Sequence, residues 1–456
     1  MSETASPSGS TGDLIVDGRP TRSLPVTQLI RLSLYWLGLS AVFAGISGIL
    51  TGRLQFDHLV PAGTEGEALF RMTVFGTLIA IIVQPTVGTI SDYTRTRWGR
   101  RKPFIVIGSL LDVVFLFGIA SSNTVLAIAA FLIFLQFSSN FAQGPFQGYV
   151  PDLVPAQQVG LASSLVGLFS VFGNVTGFAI AALAVKTNQF FLATMVLGLV
   201  EVIAMLGVVL RVDNGPPPRD RAGRPWRSIV GEAWGTDILH ERSFLFLLGS
   251  RFFVLMGAAV LIYMQTFYLA QSLKLGQDAT GGAQLAVLGI VLVGNIVAVV
   301  PAGRVSDRIG RKKVIYVACL LGGAGLAIVA AAPSVPIALI GGALFGIGSG
   351  SFLAVDWALM TDIIPKAESG RYMGISNVAT AASGIVAIAI AAGLVMDRVN
   401  QAVGYGAGPR AAILVGVGSY VVGALLLRPV DERRREDVPT VASGDVAAVP
   451  IAPAPG

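Results

Sequence analysis

The sequence is poor in charge and in the residue types that build metal or disulfide sites. Only 13% of its 456 residues are charged, against about 25% in soluble proteins. A single cysteine, Cys319, excludes an intrachain disulfide, and two histidines exclude a His-rich metal site. The sequence also lacks a Walker loop and an evident nucleophile–His–acid set. We therefore expect no metal, no cofactor and no enzymatic activity.

Long apolar runs are the dominant feature of what is present. Hydrophobic residues make up 54% of the chain, and apolar stretches of the ~17–25 residues needed to cross ~30 Å of hydrocarbon recur along it. A β-barrel would instead show short alternating segments. The pattern predicts an all-α membrane protein with twelve transmembrane helices. The predicted spans are residues 27–50, 69–91, 103–121, 125–147, 160–185, 190–211, 244–271, 283–304, 313–332, 336–360, 371–396 and 410–428.

Composition divides the chain into two bundles, a linker and two tails. Residues 1–26 are rich in Ser, Thr, Gly and Asp, and residues 429–456 in Ala, Val, Pro and charge. Such segments bury too little apolar surface to fold, so we expect two disordered cytoplasmic tails. Residues 212–243 contain three consecutive prolines and several arginines, which is typical of a cytoplasmic linker. Six-helix bundles are left at 27–211 and 244–428.

The distribution of basic residues predicts the orientation. An even number of spans places both termini on the same side, and most of the 32 basic residues lie in the tails and in the loops after even-numbered spans. The positive-inside rule makes that side cytoplasmic. We expect a multi-pass protein of the cytoplasmic (inner) membrane, and the net charge of +6 then needs no nucleic-acid partner. The basic residues expected on the opposite side are Arg53, Arg71, Lys186, Lys274, Arg398 and Arg410.

Two loop sequences occur once in each half of the chain. "GTISDYTRTRWGRRKP" (88–103) follows the second predicted span, and "GRVSDRIGRKK" (303–313) follows the eighth. "PDLVPAQQVG" (151–160) is matched by "TDIIPKAESG" (361–370) at nearly the same interval. This repeat predicts two pseudo-symmetric six-helix bundles. Proteins built from such halves typically bind a solute at their interface near the bilayer midplane.

The repeated loop resembles the loop motif of the major facilitator superfamily: Gly-x-x-x-Asp, then basic residues and glycine. Within that superfamily, "SDYTRTRWGRRKPFIV" is similar to the loop of the glycoside–pentoside–hexuronide cation symporters and of the sucrose transporters. "NFAQGPFQGYVPDL" (140–153) resembles a stretch of the sucrose transporters. The resemblance implies the major facilitator fold and secondary active transport of a sugar or glycoside by alternating access, coupled to a cation such as the proton.

One residue departs from the sucrose-transporter pattern. In the proton-coupled members, an Asp lies seven residues before the Gln of Gln-Gly-Pro. Here that position is Gln136, and an amide cannot take up a proton near neutral pH. Either another carboxylate carries the proton, or the protein is a passive or differently coupled carrier.

Four amides recur on one face of the fourth predicted span. Gln136, Asn140, Gln143 and Gln147 are spaced i, i+4, i+7 and i+11, which aligns them along a helix. One or two amides could serve as helix–helix hydrogen bonds. Four in register fit the wall of an aqueous cavity better, and amides that donate and accept suit a neutral, hydroxyl-rich solute.

Other embedded polar and aromatic residues are further candidates for solute contact. Each amide could instead make a packing hydrogen bond, and the tryptophan could be an interfacial anchor. Together with Gln136, Asn140 and Gln143, the predicted substrate-binding residues are Trp36, Asn174, Gln265, Asn295 and Asn377.

Charged side chains inside a span are functional candidates by default. Asp112 and Glu201 are the first and second candidates for a proton that moves with the solute. Asp356 is the third. It lies near the cytoplasmic side with Arg251, where a structural ion pair is an equal alternative.

The repeated cytoplasmic loops predict a gate. A carboxylate such as Asp92 would pair with an arginine and with a helix end of the other half, and so hold the cytoplasmic side closed when the site faces outward. A plain anchor at anionic headgroups is the alternative for the basic residues, and helix capping is the alternative for the later carboxylates. The predicted gating residues are Asp92, Arg100, Arg101, Asp152, Asp307, Arg311 and Asp362.

Three functions remain open from the sequence. The leading hypothesis is a sugar or glycoside transporter that acts as a monomer in the lipid bilayer, with a neutral small-molecule solute and protons as partners. A proton-driven exporter of drugs or other hydrophobic compounds could use the same fold, but would need a greasier cavity with an embedded carboxylate. A non-transporting membrane receptor would need a regulatory domain, and we find none in the sequence.

Overall fold

The computed structural model of this chain describes residues 23–212, 223, 225–226, 242–363, 376, 379–380 and 382–430, with the backbone of 15–16 and 19–20. Within these ranges the side chains of 151, 156, 357 and 361–363 are not described. The predicted site residue Asn377 lies outside the described residues, as does the side chain of Asp362.

Twelve helices of the described residues are long and apolar enough to cross a membrane, which confirms the predicted all-α fold. We number them α1 to α12. Their bounds are Val26–Phe56, Glu65–Asp92, Lys102–Ser121, Val125–Gln147, Val159–Thr187, Phe190–Val209, Arg242–Ser272, Gln277–Ile309, Arg311–Ala331, Val335–Met360, Ala382–Val403 and Gly408–Leu426. Between α4 and α5 lie a short helix, Tyr149–Leu153, and a 3₁₀ turn, Ala156–Gln158. Strands Ile15–Val16 (β1) and Arg19–Pro20 (β2) form a two-residue antiparallel pair near the N-terminus.

Several helices run past their predicted ends, because polar residues continue them beyond the apolar core. α1 extends to Phe56, and Arg53 in its last turn donates hydrogen bonds to the carbonyls of Ile119 and Ser122 at the end of α3. The largest shift is in α11, for which we predicted residues 371–396. It extends to Val403, since its polar last turns find partners in the opposite half.

Helix packing repeats from one half to the other. In the first half α1 packs on α5 and α6, α2 on α4, and α3 on α4 and α6. In the second half α8 packs on α10, α7 on α12, and α9 on α10 and α12. Across the interface between the halves, α2 packs on α11 and α5 packs on α8. Because α2 corresponds to α8 and α5 corresponds to α11, the pseudo-symmetry relates these two contacts to each other. The structure is therefore two pseudo-symmetric six-helix bundles.

Small residues allow these helices to approach closely. A Cβ at Gly177 of α5 would lie 2.3 Å from the carbonyl oxygen of Ala41 in α1, and one at Gly346 of α10 would lie 2.5 Å from that of Val291 in α8. Only glycine permits such backbone contact, which is the usual way that membrane helices gain packing energy without a hydrophobic driving force.

The two ends of the bundle differ. We call the end at which the odd-numbered helices finish the sealed end, and the opposite end the open end. The hydrogen bonds that join described residues of the two halves lie at or near the sealed end. In the predicted orientation the sealed end faces outward, so a gap between the halves would face the cytoplasm.

Candidate functional site

The candidate functional site is the part of the interface between the halves toward the open end, which we call the gap because few contacts between the described residues cross it there. Helix α4 packs on α2 and α3, and α10 packs on α8 and α9, but neither has an extensive contact with the opposite half. Helices α1 and α7 do touch each other across the interface. Beneath the gap, toward the sealed end, Thr51 Oγ1 is 3.0 Å from Thr266 Oγ1, which also accepts a hydrogen bond from Gln284 Nε2 at 2.7 Å.

The four amides of α4, which we call the amide stripe, point away from the lipid. The lipid face of α4 carries Phe134 and Phe137, both exposed, and the spacing of 3.6 residues per turn places the amide stripe on another side of the helix. Asn140 is 3% exposed, and its Nδ2 donates to the carbonyl oxygen of Gln136 at 2.8 Å. Gln143 and Gln147 are half-buried.

The partners of these amides differ along the stripe. The side chain of Gln136 packs against Gly76 of α2, and its Oε1 is buried without a hydrogen-bond partner among the described residues. Among the hydrogen bonds of the described residues, none involves the Gln143 or Gln147 side chain. Two half-buried amides therefore keep donors and acceptors available for a solute.

The other predicted contact residues divide into three groups. Trp36 and Gln265 are half-buried, and the Trp36 ring meets Phe146 of α4 edge-on at a centroid distance of 6.0 Å. Asn295 Nδ2 donates to its own helix at Val291 O (2.9 Å), and its Oδ1 accepts from Ser349 of α10 at 3.2 Å. This favours the packing alternative for Asn295. Asn174 is exposed on α5.

Two buried carboxyl groups meet inside the first bundle. Asp112 on α3 and Glu201 on α6 are fully buried, and their carboxyl groups lie within hydrogen-bonding reach of each other. Asp112 accepts hydrogen bonds from two neighbouring serines of α4: Ser138 Oγ bonds to Oδ1, and Ser139 Oγ bonds to Oδ2 at 2.7 Å. The structure thus places the first two proton candidates in one cluster with α4.

A tyrosine of α1 completes this cluster. Tyr35 OH lies 2.7 Å from Ser109 Oγ and donates weakly to Glu201 Oε1 at 3.5 Å. Glu201 Oε2 is buried and receives no hydrogen bond from the described residues. Because a hydrogen bond between two carboxyl groups needs a proton on one of them, a proton on this oxygen would let Glu201 donate to Asp112.

The third proton candidate belongs to a buried ion pair of the second bundle. Arg251 Nη1 on α7 donates to Asp356 Oδ2 on α10, and both side chains are nearly inaccessible. Arg251 Nε is also 3.4 Å from Thr380 Oγ1. Breaking a buried pair leaves an uncompensated charge, so this geometry favours the structural alternative for Asp356.

Four of the predicted gating residues form one cluster at the open end, which we call the open-end cluster. Asp152 Oδ2 accepts from Arg100 Nη2 and, at 2.6 Å, from Arg101 Nε. Arg101 Nη2 is 3.1 Å from Asp92 Oδ1, and its Nη1 donates to the last turn of α4 at the Pro145 carbonyl oxygen (2.6 Å). All four side chains belong to the first half, so in this conformation the described part of the cluster does not bridge the halves.

The open-end cluster depends on two neighbours in the chain. A Cβ at Gly148 would lie 1.7 Å from Arg101 Nη1, so only glycine admits the guanidinium here. The same guanidinium lies 6.0 Å from the ring centroid of Tyr149. Burial raises the pKa of Tyr149, which keeps this phenol neutral beside the arginines.

The matching loop of the second half is arranged differently. Asp307 is exposed and has no ion pair among the described residues, and Arg311 is half-buried. Lys312 Nζ donates to the carbonyl oxygens of Arg428 and Val430 at the end of α12. Among the described residues, which do not include the side chain of Asp362, the contacts of this loop thus differ from those of its counterpart in the first half.

Sequence reasoning missed the residues that connect these groups. Ser138, Ser139, Tyr35 and Ser109 were not singled out, because an isolated hydroxyl in a span usually bonds to its own helix. The adjacent pair Ser138–Ser139 immediately before Asn140 was the one available signal. The sequence also does not reveal the hydrogen bonds that Asp397 accepts from the backbone N–H groups of Gly66 and Glu67 at the sealed end, because Asp397 lies beyond the predicted span.

Fold and gap together define the class: a polytopic helical membrane protein with two six-helix bundles around a gap that is sealed at one end. The family model described as Major Facilitator Superfamily matches residues 62–295 and 247–454. The chain belongs to this superfamily.

Similar proteins include sugar transporters. A general alpha-glucoside permease of Schizosaccharomyces pombe is 29% identical over 200 residues, which cover 40% of this chain and 36% of the relative. A sucrose transport protein of Oryza sativa subsp. japonica is 30% identical over 176 residues, 32% of each chain. A membrane-associated transporter protein of Homo sapiens is 25% identical over 178 residues. The matches span about a third of these relatives.

Solved structures share the whole fold. A D-xylose-proton symporter superposes with a TM-score of 0.66, at 16% identity, over 89% of this chain and 98% of its own. The nucleoside transporter NupG superposes with a TM-score of 0.64, at 14% identity, over 88% and 98%. At such identities the likeness establishes the fold alone.

Proposed function

We propose that this protein carries a neutral sugar or glycoside across the cytoplasmic membrane by alternating access. The observation that carries the proposal is the amide stripe of α4, whose half-buried Gln143 and Gln147 have unused donors and acceptors beside the gap. Amides of this kind can bond to hydroxyls in both directions. The likeness to alpha-glucoside and sucrose transport proteins supports the same solute class.

We further propose that transport is coupled to protons through Asp112 and Glu201. The position at which proton-coupled sucrose transporters carry an Asp is Gln136 here, so a proton site must lie elsewhere. The buried carboxyl pair can serve as this proton site, because two adjacent carboxyl groups that share one proton can gain or lose it during a transport cycle. Intramembrane carboxyl groups serve proton transfer in pumps and transporters generally.

The drug-exporter alternative is less well supported. A cationic drug would need a carboxylate open to the gap. Asp112 and Glu201 are fully buried and Asp356 is 2% exposed in an ion pair.

The test is uptake of labelled sucrose into proteoliposomes, with and without an imposed inward proton gradient. Accumulation stimulated by the gradient, lost in Asp112→Asn but with sucrose exchange retained, is the expected result. Equilibration without stimulation would overturn proton coupling and leave a facilitator. An absence of sucrose uptake under both conditions, followed by the same result for a series of glucosides, would overturn the sugar assignment.

A further inference from the structure

The amide stripe and the carboxyl pair lie on neighbouring sides of one helix, and a single side chain joins them. We propose that Ser139 is the positioning residue through which the protonation state of Asp112 and Glu201 sets the position of the amide stripe. The inference rests on the proposed function, because it assigns both groups to one transport cycle. It concerns the link between them, which can be measured without any solute.

Ser139 is placed to make this link. It is fully buried, and its hydroxyl donates to Asp112 Oδ2 at 2.7 Å. Gln143 is its i+4 neighbour on α4, and residues four apart are adjacent on a helix surface. Ser139 therefore touches the carboxyl pair on one side and borders the amide stripe on the other.

The neighbouring Ser138 has alternative hydrogen-bond acceptors, whereas Ser139 has none among the described residues. Besides Asp112, Ser138 Oγ lies 3.0 Å from Phe134 O and 3.1 Å from Leu135 O. It can therefore change acceptor without any movement of the helix. Among the described residues the one acceptor of Ser139 is Asp112. A change at Asp112 must thus be answered by a change in Ser139.

The protonation state decides what Asp112 can accept. As a carboxylate, Asp112 accepts from Ser138, Ser139 and a protonated Glu201. When a second proton enters, Asp112 gains an O–H donor, and the serine hydroxyl that faces this donor must accept instead of donating, so its own proton needs another acceptor. A buried donor without an acceptor is costly, so Ser139 turns to a new acceptor, and in our proposal this rearrangement shifts α4. Tyr35 of α1 is the one further titratable group that contacts the pair among the described residues.

The test follows the surroundings of position 143 as a function of pH. Cys319 is the single cysteine, so C319A gives a cysteine-free background. A fluorophore that responds to polarity but not to pH is attached at Q143C in this background, and its emission is titrated in proteoliposomes without solute. The same titration is run with S139A, S139T, S138A and D112N added. A label at F137C, on the exposed side of α4, controls for effects of the bilayer.

We expect a single sigmoidal emission change for Q143C and none for F137C. S139A should reduce its amplitude at least fivefold, S139T should restore it, and S138A should leave it within twofold. D112N should abolish it, since residue 112 can then no longer take up a proton. An unchanged amplitude and midpoint in S139A would overturn the proposal, as would the absence of any response with both serines present. Sucrose uptake by the same C319A protein reports separately on the proposed function.

Discussion

The two ends of the bundle use polar side chains in opposite ways. At the sealed end they bind one half to the other: Asp397 of α11 accepts hydrogen bonds from the backbone N–H groups of Gly66 and Glu67 at the start of α2, at 3.1 and 2.7 Å. At the open end the ion pairs that join Arg100 and Arg101 to Asp92 and Asp152, as far as the structure describes them, stay inside the first half. Among the described residues, polar contacts thus join the two halves at the sealed end and stay within one bundle at the open end.

The two ends also differ in the kind of polar contact that they contain. Asp397 is a single carboxylate that caps the N-terminus of a helix from the opposite half, where the helix dipole favours negative charge. The open-end cluster contains two arginines and two carboxylates, which can regroup among themselves. We infer that the sealed end holds the observed conformation, and that the open-end cluster becomes a bridge between halves only when the gap faces the other way.

The largest effect is expected from Asp152→Ala in the open-end cluster. The change leaves Arg100 and Arg101, each 4% exposed, without their shared carboxylate. Removing one partner of a buried ion pair costs about 3–5 kcal/mol, so the free energy of unfolding should fall by that amount. Denaturant titration in detergent measures it.

Asp307→Ala is the matched control in the second half. Asp307 is exposed and unpaired among the described residues, so we expect a change of less than about 0.5 kcal/mol. Equal effects of the two substitutions would show that the open-end cluster contributes no more than an exposed charge.

The second prediction breaks the sealed end. Asp397→Ala removes both hydrogen bonds to the start of α2, and bonds to a charged group contribute about 1.5–3 kcal/mol each. The population that is open at the sealed end should therefore rise at least tenfold. It is measured at fixed pH as the rate at which an impermeant maleimide, added on the sealed-end side, labels Q143C in the C319A background.

Asp397→Asn keeps one acceptor oxygen and should give an intermediate labelling rate. A labelling rate unchanged in both variants would mean that Asp397 does not hold the halves together.

Much of the fold could be predicted from the sequence, because its causes are local. Apolar runs of membrane-crossing length specify helices, and the repeated "SDYTRTRWGRRKP" and "SDRIGRKK" loops indicate two halves. These loops also single out Asp92, Arg100 and Arg101, but they predict pairing with the other half, whereas the described contacts of these residues lie within the first half.

The candidate site was harder to predict, because its contacts join residues far apart in sequence. Asp112 and Glu201 were each singled out as embedded charges, but nothing in a single sequence pairs α3 with α6. Asp397 and Gly66 come together only when α2 packs on α11. The sequence predicts a loop for the polar last turns of α11, because their partners in the opposite half are not visible from the sequence.

The third prediction tests the closeness of the backbones at the sealed end. A Cβ at Gly66 would lie 2.2 Å from the carbonyl oxygen of Ala392. Gly66→Ala should force α2 and α11 apart at the low end of the cost of overpacking, about 1–1.4 kcal/mol, and should therefore raise the labelling rate of Q143C by roughly fivefold to tenfold. Gly282→Ala on α8 is the control, because a Cβ there meets open space. Similar labelling rates in both variants would contradict a tight seal at Gly66.

The smallest effect is expected from the rim of the sealed end. Tyr405 OH donates to Glu65 Oε1 across the interface at 3.0 Å. Burial raises the pKa of Tyr405 to about 12 from its ordinary 10.0. The stabilisation from this phenol is therefore fully present below pH 10 and is lost as the pH rises toward 12. Between pH 6 and 9, roughly, its contribution to the seal should not vary.

Tyr405→Phe removes this hydrogen bond and the weaker one that the Tyr405 hydroxyl accepts from Gln55 Nε2 at 3.4 Å. Tyr405 is 49% exposed, and Glu65 keeps a second donor in the backbone N–H of Gly63 at 2.8 Å. The cost should lie at the low end for a hydrogen bond, about 0.5 kcal/mol, which corresponds to a roughly twofold faster labelling of Q143C. A tenfold increase in the labelling rate would mean that Tyr405, rather than Asp397, makes the main contribution to holding the sealed end closed.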